Sequence, residues 1–380
     1  MKIMRKDNLY IGILTGTSMD SIDCGIFSFN NNNCKIISFY EGNYPDDLKS
    51  KIRKNYENLK KDCVNNILHK ELSEVYGDIV NKTILKNNID KDSIVAIGMH
   101  GQTISHGNHN NKNISLQLGC PITLNKITNI KVVSDFRQDD IANGGEGAPL
   151  APIFHDYIFN HNNEDNRIII NIGGISNISF LTDGINNLFG FDSGPGNTLI
   201  DSWVNKKYNL DYDIDGKLSS EYSYSEKLLE IFMNDKYFEK NIPKSTSTEY
   251  FNDDWVNSKL KLANSDFSDG DILATLTKFT AFSIAQSIKV FCPDCKEIYV
   301  CGGGAFNKTM VSQIHSEINK IFSNNITIDT TEKIGLPPKV VESSLFAWLA
   351  MSRVENRILD YRKVTGANKT SILGKIYSSK

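Results

Sequence analysis

Short apolar runs at 10–14, 24–29 and 34–40, each bounded by Gly, Ser, Asp or Asn, predict three strands in succession. Helical periodicity through 46–88 follows, then a strand at 94–99, a short segment at 114–118, a helix near 121–129 and a strand at 131–135. The plan restarts at 167-RIIINIGGISNISF-180, read as strand, small-residue bend and strand, with a third strand at 187–192. Helices at 197–206 and 271–291, a strand at 297–301, a helix at 307–320, a strand at 325–329 and a helix at 338–356 complete it. The Asn-rich patches at 30–33 and 160–166 read as solvated loops. Both halves thus share a meander opened by a polar hairpin and then alternating helices and strands. The fold class this predicts is α/β, two-lobed, with a duplicated βββαβαβα core around a central cleft. The lobes are expected at 1–140 and 141–380, with the C-terminal tail free to return to the first.

Length supports two lobes, because 380 residues exceed the size at which one core stops growing. A net charge of -3 offers no electrostatic footprint for nucleic acid or an anionic membrane, so small-molecule chemistry is favoured. The opening residues run into the first strand without a signal-peptide pattern, and no apolar stretch reaches transmembrane length. Seven scattered cysteines fit a reducing compartment, and the expected location is cytoplasmic. Cys292 and Cys295 have CxxC spacing, but no second pair completes a zinc site, so a plain loop is expected there.

Candidate chemistry begins at 10-YIGILTGTSMDSIDCGIFSF-29. A Walker A loop or dinucleotide fingerprint needs strand, glycine-rich loop and helix, and here a second strand follows at once. A tight hairpin can instead cradle phosphate with backbone N–H groups and with the hydroxyls of Thr17, Ser18 and Ser21 beside Gly16, while Asp20 or Asp23 holds Mg²⁺. The competing reading is an ordinary hairpin with turn-forming Ser and Asp. A matching Gly173-Gly174 bend favours the cradle, since two facing hairpins would clamp a triphosphate.

Five further clusters carry candidate roles. In 98-GMHGQTISH-106, His100, Gln102 and Thr103 follow a buried strand, where α/β folds place ligands, and Gly101 implies a close backbone approach. Arg137 in 135-DFRQDDIANGGEGAPLAP-152 suits a substrate carboxylate, or a salt bridge to Asp135 or Asp139. In 190-GFDSGPGNTLID-201, Asp192 at a strand's end suits a general base, or merely caps the turn, and Asn197 is placed to N-cap the next helix. Gly302, Gly303 and Gly304 let a flat ring lie on bare backbone, or form a plain tight turn. Glu342, the polar exception near the start of an apolar helix, either reaches a substrate hydroxyl or favours the helix N-terminus electrostatically.

Taken in order, GTSMDSID, GMHGQT, VVSDFR, GGEGAPLAP, NIGGISN, GFDSGPGN, CGGGAFN and ESSLFAWLA resemble the anhydro-N-acetylmuramic acid kinase family over nearly the whole chain. The resemblance implies an actin-like (ribonuclease H-like) ATPase fold, as in hexokinase and Hsp70, and a kinase for 1,6-anhydro-N-acetylmuramic acid that uses ATP and Mg²⁺. It implies that Asp192 activates a water that opens the anhydro bridge, while the freed O6 takes the γ-phosphate. It carries sugar contacts to Thr103, Arg137 and Glu342. Nucleotide contacts fall on Gly16, Thr17, Ser18, Met19, Asp20, Ser21, Ile22, Asp23, Gly173, Gly174, Gly302, Gly303, Gly304 and Asn307, with Asp20 toward the metal, and a homodimer is implied. This chain departs from the family pattern at Ser21 (usually Gly), Glu146 (usually Gln) and Ser247-Thr248 (usually Gly-Arg). A kinase for another anhydrosugar such as levoglucosan, and a non-catalytic nucleotide-dependent sensor, are the alternative readings.

Overall fold

The computed structural model describes residues 8–17, 19–109, 112–160, 166–182, 188–322 and 326–378. Ser18, most of the 160–166 loop, and positions 187 and 325 of two expected strands lie outside the described residues.

The chain divides into two compact units, Met1–Ile158 with Val340–Lys380, and Phe159–Lys339. In chain order the first holds β1 (Leu9–Thr15), β2 (Ser21–Asn30) and β3 (Asn33–Asn43), then α1 (Asp46–Lys54), α2 (Tyr56–Lys61) and α3 (Ile67–Lys86). It continues through β4 (Ile94–Met99), β5 (Gln102–His109), β6 (Lys112–Leu118), α4 (Pro121–Thr128), β7 (Val132–Ser134), α5 (Phe136–Ala142) and α6 (Ala151–Phe159). The second unit runs β8 (Arg167–Ile172), β9 (Ile175–Leu181), β10 (Phe189–Pro195), α7 (Thr198–Tyr208), α8 (Lys217–Ser220), α9 (Glu226–Met233) and α10 (Asp253–Ala263). It ends with α11 (Asp269–Phe291), β11 (Glu297–Cys301), α12 (Lys308–Ile321) and β12 (Thr327–Thr330). The chain then returns to the first unit as α13 (Val341–Val354), α14 (Arg362–Thr365) and β13 (Lys375–Tyr377).

Among the described residues the sheet of the first unit has the order β13-β7-β4-β1-β2-β3 and that of the second β10-β9-β8-β11-β12. Without the edge strand β13, both follow one scheme: an antiparallel meander, then parallel additions on the far side of its first strand. That repeated scheme is the duplicated ribonuclease H-like core of actin-type ATPases. The first strand of each meander sits mid-sheet, which is why β1 and β8 read as nearly continuous apolar runs. Each unit has its own core, with Ile11, Ile13, Ile22, Leu72 and Ile97 in the first and Ile168, Ile170, Phe191, Phe279 and Ile298 in the second.

The division falls after 158 and after 339 rather than after 140. Aromatic packing accounts for this, because the rings of Phe154 and Tyr157 of α6 lie tilted against Trp348 of α13 at 5.7 and 5.2 Å between centroids. The tail pairs with β7 through β13, and Asp139 Oδ2 accepts from the Gly374 N–H at 2.9 Å. The Asn patch at 30–33 is a hairpin turn, with Asn31 and Asn32 at φ 47° and 61°, the left-handed pair a two-residue connection needs.

A row of glycines fixes α13 on the sheet. Gly12 is the ladder partner of both Gly25 and Gly98. A Cβ on Gly12 would lie 1.7 Å from the Ser343 carbonyl oxygen, and one on Gly98 would lie 1.9 Å from that of Phe346. Helix backbone therefore rests directly on strand backbone, with Ser343, Phe346, Ala347 and Ala350 as the contacting stripe. This seating sets the first turn of the helix, where Glu342 stands half-buried.

Candidate functional site

In the first unit the β1–β2 connection is a tight turn closed by the Met19 N–H on the Gly16 carbonyl at 3.2 Å, with Met19 itself at φ 58°. Gly16, Thr17 and Asp20 are exposed, whereas the Met19 and Ile22 side chains belong to the core. Only the backbone of those two is placed for a ligand. Ser21 Oγ donates to Asp23 Oδ1 at 3.2 Å, so this hydroxyl orients the second acid. Asp20 pairs with Lys49 at 3.3 Å.

At the end of β4, His100 and Arg137 meet. Arg137 Nη2 donates to His100 Nε2 at 3.0 Å, and a guanidinium has no acceptor, so the imidazole is neutral with its proton on Nδ1. Burial, then the neighbouring guanidinium, hold His100 well below the usual histidine range. Phe346 of α13 braces the ring at 4.5 Å between centroids. Of the acids proposed as salt-bridge partners for Arg137, Asp135 accepts from the Tyr377 hydroxyl and Asp139 from Gly374, so the tail engages both. Thr103 is half-buried on β5 and pairs across to Gln117 of β6. Gly101 sits at φ 83°, and a Cβ there would lie 2.4 Å from the Leu118 carbonyl, so the β5–β6 hairpin itself requires this glycine.

Asp140 escaped the sequence reading. It is fully buried, accepts from the Gly147 N–H at 2.6 Å and from Thr365 Oγ1 at 2.5 Å, and thereby ties the GGEGAP loop to the tail. Burial raises its pKa despite those donors. A Cβ on Gly145 would lie 2.3 Å from its carboxylate, which explains part of the glycine content of this loop.

In the second unit the Gly173-Gly174 bend is zipped to the loop after Asp192. The N–H groups of Gly196, Asn197 and Thr198 donate to the carbonyls of Gly174, Gly173 and Gly174 at 2.9, 2.9 and 3.1 Å. Asn197 does not cap α7 through its side chain; its Nδ2 donates to the Gly173 carbonyl at 3.2 Å and so locks the bend. Gly302 and Gly304 abut Asn171 and Ile172, where a Cβ would come within 2.5 and 2.3 Å. Gly303 faces open space, its nearest neighbour being Asn197 Nδ2 at 4.0 Å from a built Cβ. Bare backbone for a ligand is thus offered at Gly303, while its two neighbours are needed for packing. Asn307 is buried, and its Oδ1 caps α12 by accepting from the Met310 N–H at 2.9 Å.

Asp192 lies within β10 rather than at its tip. The register against β9 shifts between Asp192 and Gly194, and such a bulge re-aims a side chain inside a strand. Asp192 is 4% exposed. The segment 244–246 is strapped onto it: its N–H donates to the Lys244 carbonyl at 3.0 Å, and its Oδ2 accepts from the Thr246 N–H at 2.9 Å. The Tyr237 hydroxyl donates to its carbonyl at 2.5 Å. The backbone donor on Oδ2 fixes the orientation of the carboxylate.

The strap is anchored by Asp235, another residue without a sequence signal. It accepts from the Tyr237 N–H at 3.0 Å, the Tyr250 hydroxyl at 2.6 Å and Trp255 Nε1 at 2.8 Å, and pairs with Lys259 at 2.9 Å. Burial pushes its pKa up, but these partners outweigh burial and hold it below the usual range. Its contribution to stability is therefore complete above the unfolded-state value of about 4 and is lost as pH falls through the lower folded value. Asp235→Ala should cost about 3 kcal/mol at neutral pH. Chemical denaturation followed against pH should show the gap to wild type closing in acid.

Cys292 and Cys295 are buried free thiols between α11 and β11, and burial raises both, Cys295 to about 12. Among the described residues no cluster of His, Cys, Asp or Glu forms a three-residue metal site.

The sequence profile of the anhydro-N-acetylmuramic acid kinase family matches residues 8–379. The chain belongs to that family. A relative named anhydro-N-acetylmuramic acid kinase from Coxiella burnetii is 40% identical over 374 residues, covering 97% of each chain. One of the same name from Shewanella pealeana is 37% identical over 377 residues, covering 98% of this chain and 99% of its own. Among solved structures, the activator of 2-hydroxyisocaproyl-CoA dehydratase from Clostridium difficile aligns over 91% of this chain and 96% of its own, at 15% identity and a TM-score of 0.44. Ser247-Thr248 follow directly on the strap that reaches Asp192. There the Ser247 carbonyl accepts from the N–H groups of Tyr250 and Phe251, both at 3.1 Å.

Proposed function

We propose that this chain is an ATP-dependent kinase that opens the 1,6-anhydro bridge of 1,6-anhydro-N-acetylmuramic acid and phosphorylates O6. The product is N-acetylmuramic acid 6-phosphate, in the recycling of peptidoglycan. The observation that carries the reading is the near full-length family match, and the buried, strapped carboxylate of Asp192 gives it a chemistry.

O6 of the substrate is locked in the bridge and has no proton to give. Ring opening must therefore accompany transfer. Asp192 takes one proton from a water as the water oxygen bonds to C1 and the C1–O6 bond breaks with its electron pair on O6. O6 bonds to the γ-phosphorus as the bond to the bridging oxygen of ADP breaks. The second water proton stays on the new anomeric hydroxyl, and Asp192 passes the first to solvent. Thr103, Arg137 and Glu342 hold the sugar, with the Arg137 guanidinium on the lactyl carboxylate. The β1–β2 turn, the Gly173-Gly174 bend and Gly303 line the nucleotide with backbone, the N–H groups of Met19 and Gly173 being already bonded to the Gly16 and Ile175 carbonyls.

Mg²⁺ is commonly held by one or two carboxylates plus phosphate oxygens and waters, and the exposed Asp20 with the nearby Asp23 fits that donor set once Lys49 turns aside. When bound, it neutralises charge on the transferring phosphoryl group. No described helix is long and apolar enough to cross a membrane. Cytoplasmic location and a homodimer belong to this reading through family membership. Sedimentation at a single chain mass of 42.7 kDa would contradict the dimer.

Arg137 separates the muramic substrate from a plain anhydrosugar, because only the lactyl carboxylate calls for a cation. Arg137→Ala should lower kcat/KM for anhydro-N-acetylmuramic acid about a hundredfold while changing any turnover of levoglucosan far less. Equal loss on both sugars would remove the carboxylate contact.

A further inference from the structure

Asn177 of β9 is 9% exposed, and its Oδ1 is buried without a hydrogen-bond partner among the described residues. A buried acceptor left unpaired is costly, and native interiors keep few of them. Leucine has nearly the same shape and would avoid that cost.

The strand ladder sets this acceptor beside Asp192. Asn177 and Asp192 are direct partners across β9 and β10, so their side chains stand on one face of the sheet. The Asp192 N–H donates to the Lys244 carbonyl and the Asp192 carbonyl accepts from the Tyr237 hydroxyl, so both backbone groups are engaged on the side away from β9. The two residues therefore form a non-hydrogen-bonded pair, the kind with the closer approach, about 4.5 Å between Cα atoms. On its other side Asn177 pairs with Asn171 of β8, and a Cβ on Gly302 would lie 2.5 Å from Asn171 Oδ1. Asn177 thus stands in a row of residues that runs from Asp192 to the three-glycine loop.

Whatever completes Oδ1 must donate a hydrogen bond, and an ionised carboxylate donates none. A water between the two side chains donates to both, one proton toward the Asp192 carboxylate and one toward the amide oxygen, and keeps a lone pair for an electrophile. The amide oxygen is too weak a base to take its proton. Only Asp192 can.

We propose that Asn177 holds the attacking water against Asp192, its Oδ1 accepting from the O–H that remains on the new anomeric hydroxyl. The inference rests on the reading of Asp192 as the base. Asp192 takes one proton as the water oxygen bonds to C1, the C1–O6 bond breaks with its electron pair on O6, and the other proton stays on the oxygen, facing Asn177. That O–H grows more acidic as its oxygen gives up electron density to C1, so its hydrogen bond to Asn177 strengthens in the transition state and acts on kcat.

The test uses the full-length protein with ATP, Mg²⁺ and the anhydrosugar, comparing Asn177→Leu and Asn177→Asp with wild type. Asn177→Leu keeps the shape and removes the acceptor, so it should melt at or above the wild-type temperature while kcat falls about thirtyfold and KM for sugar and ATP stays near wild type. Asn177→Asp keeps an acceptor and sets a second carboxylate opposite Asp192, the other ladder partner Asn171 being neutral. Two like charges so close should raise the acid limb of kcat/KM for the sugar by about one pH unit or more, with turnover recovering on the alkaline side. A folded Asn177→Leu with wild-type kcat overturns the inference. So does a loss that appears as a higher KM for ATP or a higher Mg²⁺ requirement, which would give the acceptor to water on the metal. Where Asn177→Leu does not fold, Asn177→Asp decides: a raised limb supports the inference, and an unmoved limb or a second failure to fold makes Asn177 structural and overturns it. Asp192→Asn, run alongside, keeps the two readings apart. Full turnover in that variant removes the base itself, whereas an inactive Asp192→Asn beside a fully active Asn177→Leu removes only the role of Asn177.

Discussion

Asp192→Asn should lower turnover of the anhydrosugar by about a thousandfold or more. The change is well contained. An asparagine oxygen can still accept the Thr246 N–H, and the backbone bonds to Lys244 and Tyr237 do not depend on the side chain. ATP affinity and melting temperature should stay close to wild type, so the loss will fall in kcat rather than in folding. A coupled ADP-release assay beside calorimetric titration of ATP makes the comparison. An Asn variant that turns over at the wild-type rate would remove Asp192 as the base.

The largest structural effect is expected at Gly12. Its pro-Cβ position is occupied by the Ser343 carbonyl at 1.7 Å and approached by the Ala347 nitrogen at 2.9 Å, both of them helix backbone that cannot rotate away. Gly12→Ala must lift α13 from the sheet, at a cost of about 3 kcal/mol or more. Helix displacement also moves Glu342 in the first turn and Phe346 against His100. Thermal denaturation should therefore show a markedly lower midpoint, with sugar binding falling before ATP binding. A variant that melts within a degree or two of wild type would mean that strand and helix are not in backbone contact.

Gly12 also shows what a sequence conceals. As one small residue in an apolar strand it has no local signature, and its necessity arises from a helix that enters more than three hundred residues later. The meanders and most of the alternating helices and strands were legible because their hydrophobic periods are set locally. Strand β5 was not, since its Thr, Ser and His residues carry no apolar alternation, and its partner β6 supplies the ladder. The edge strand β13 takes its ladder from β7, whereas α9 and α10 do carry local signals, the N-caps Ser225 and Asn252 before acidic first turns, that lie between the apolar runs read as elements. Candidate site residues were found where glycines and hydroxyls cluster after strands, but their tasks divided on closer view. Gly303 is open while Gly302 and Gly304 are packed, Asn307 caps a helix, and Asn197 locks a bend. Asp140 and Asp235 were missed because isolated acids look like surface residues until burial is known.

The central claim is that water opens the bridge at C1 while O6 receives the phosphoryl group. Incubation of the purified protein with ATP, Mg²⁺ and 1,6-anhydro-N-acetylmuramic acid in ¹⁸O-enriched water, read by mass spectrometry, tests it directly. The account predicts a 6-phosphate whose anomeric hydroxyl carries ¹⁸O acquired during turnover rather than by later exchange. Sugar phosphate formed without that label, or no sugar phosphate at all from protein that binds ATP, would contradict it.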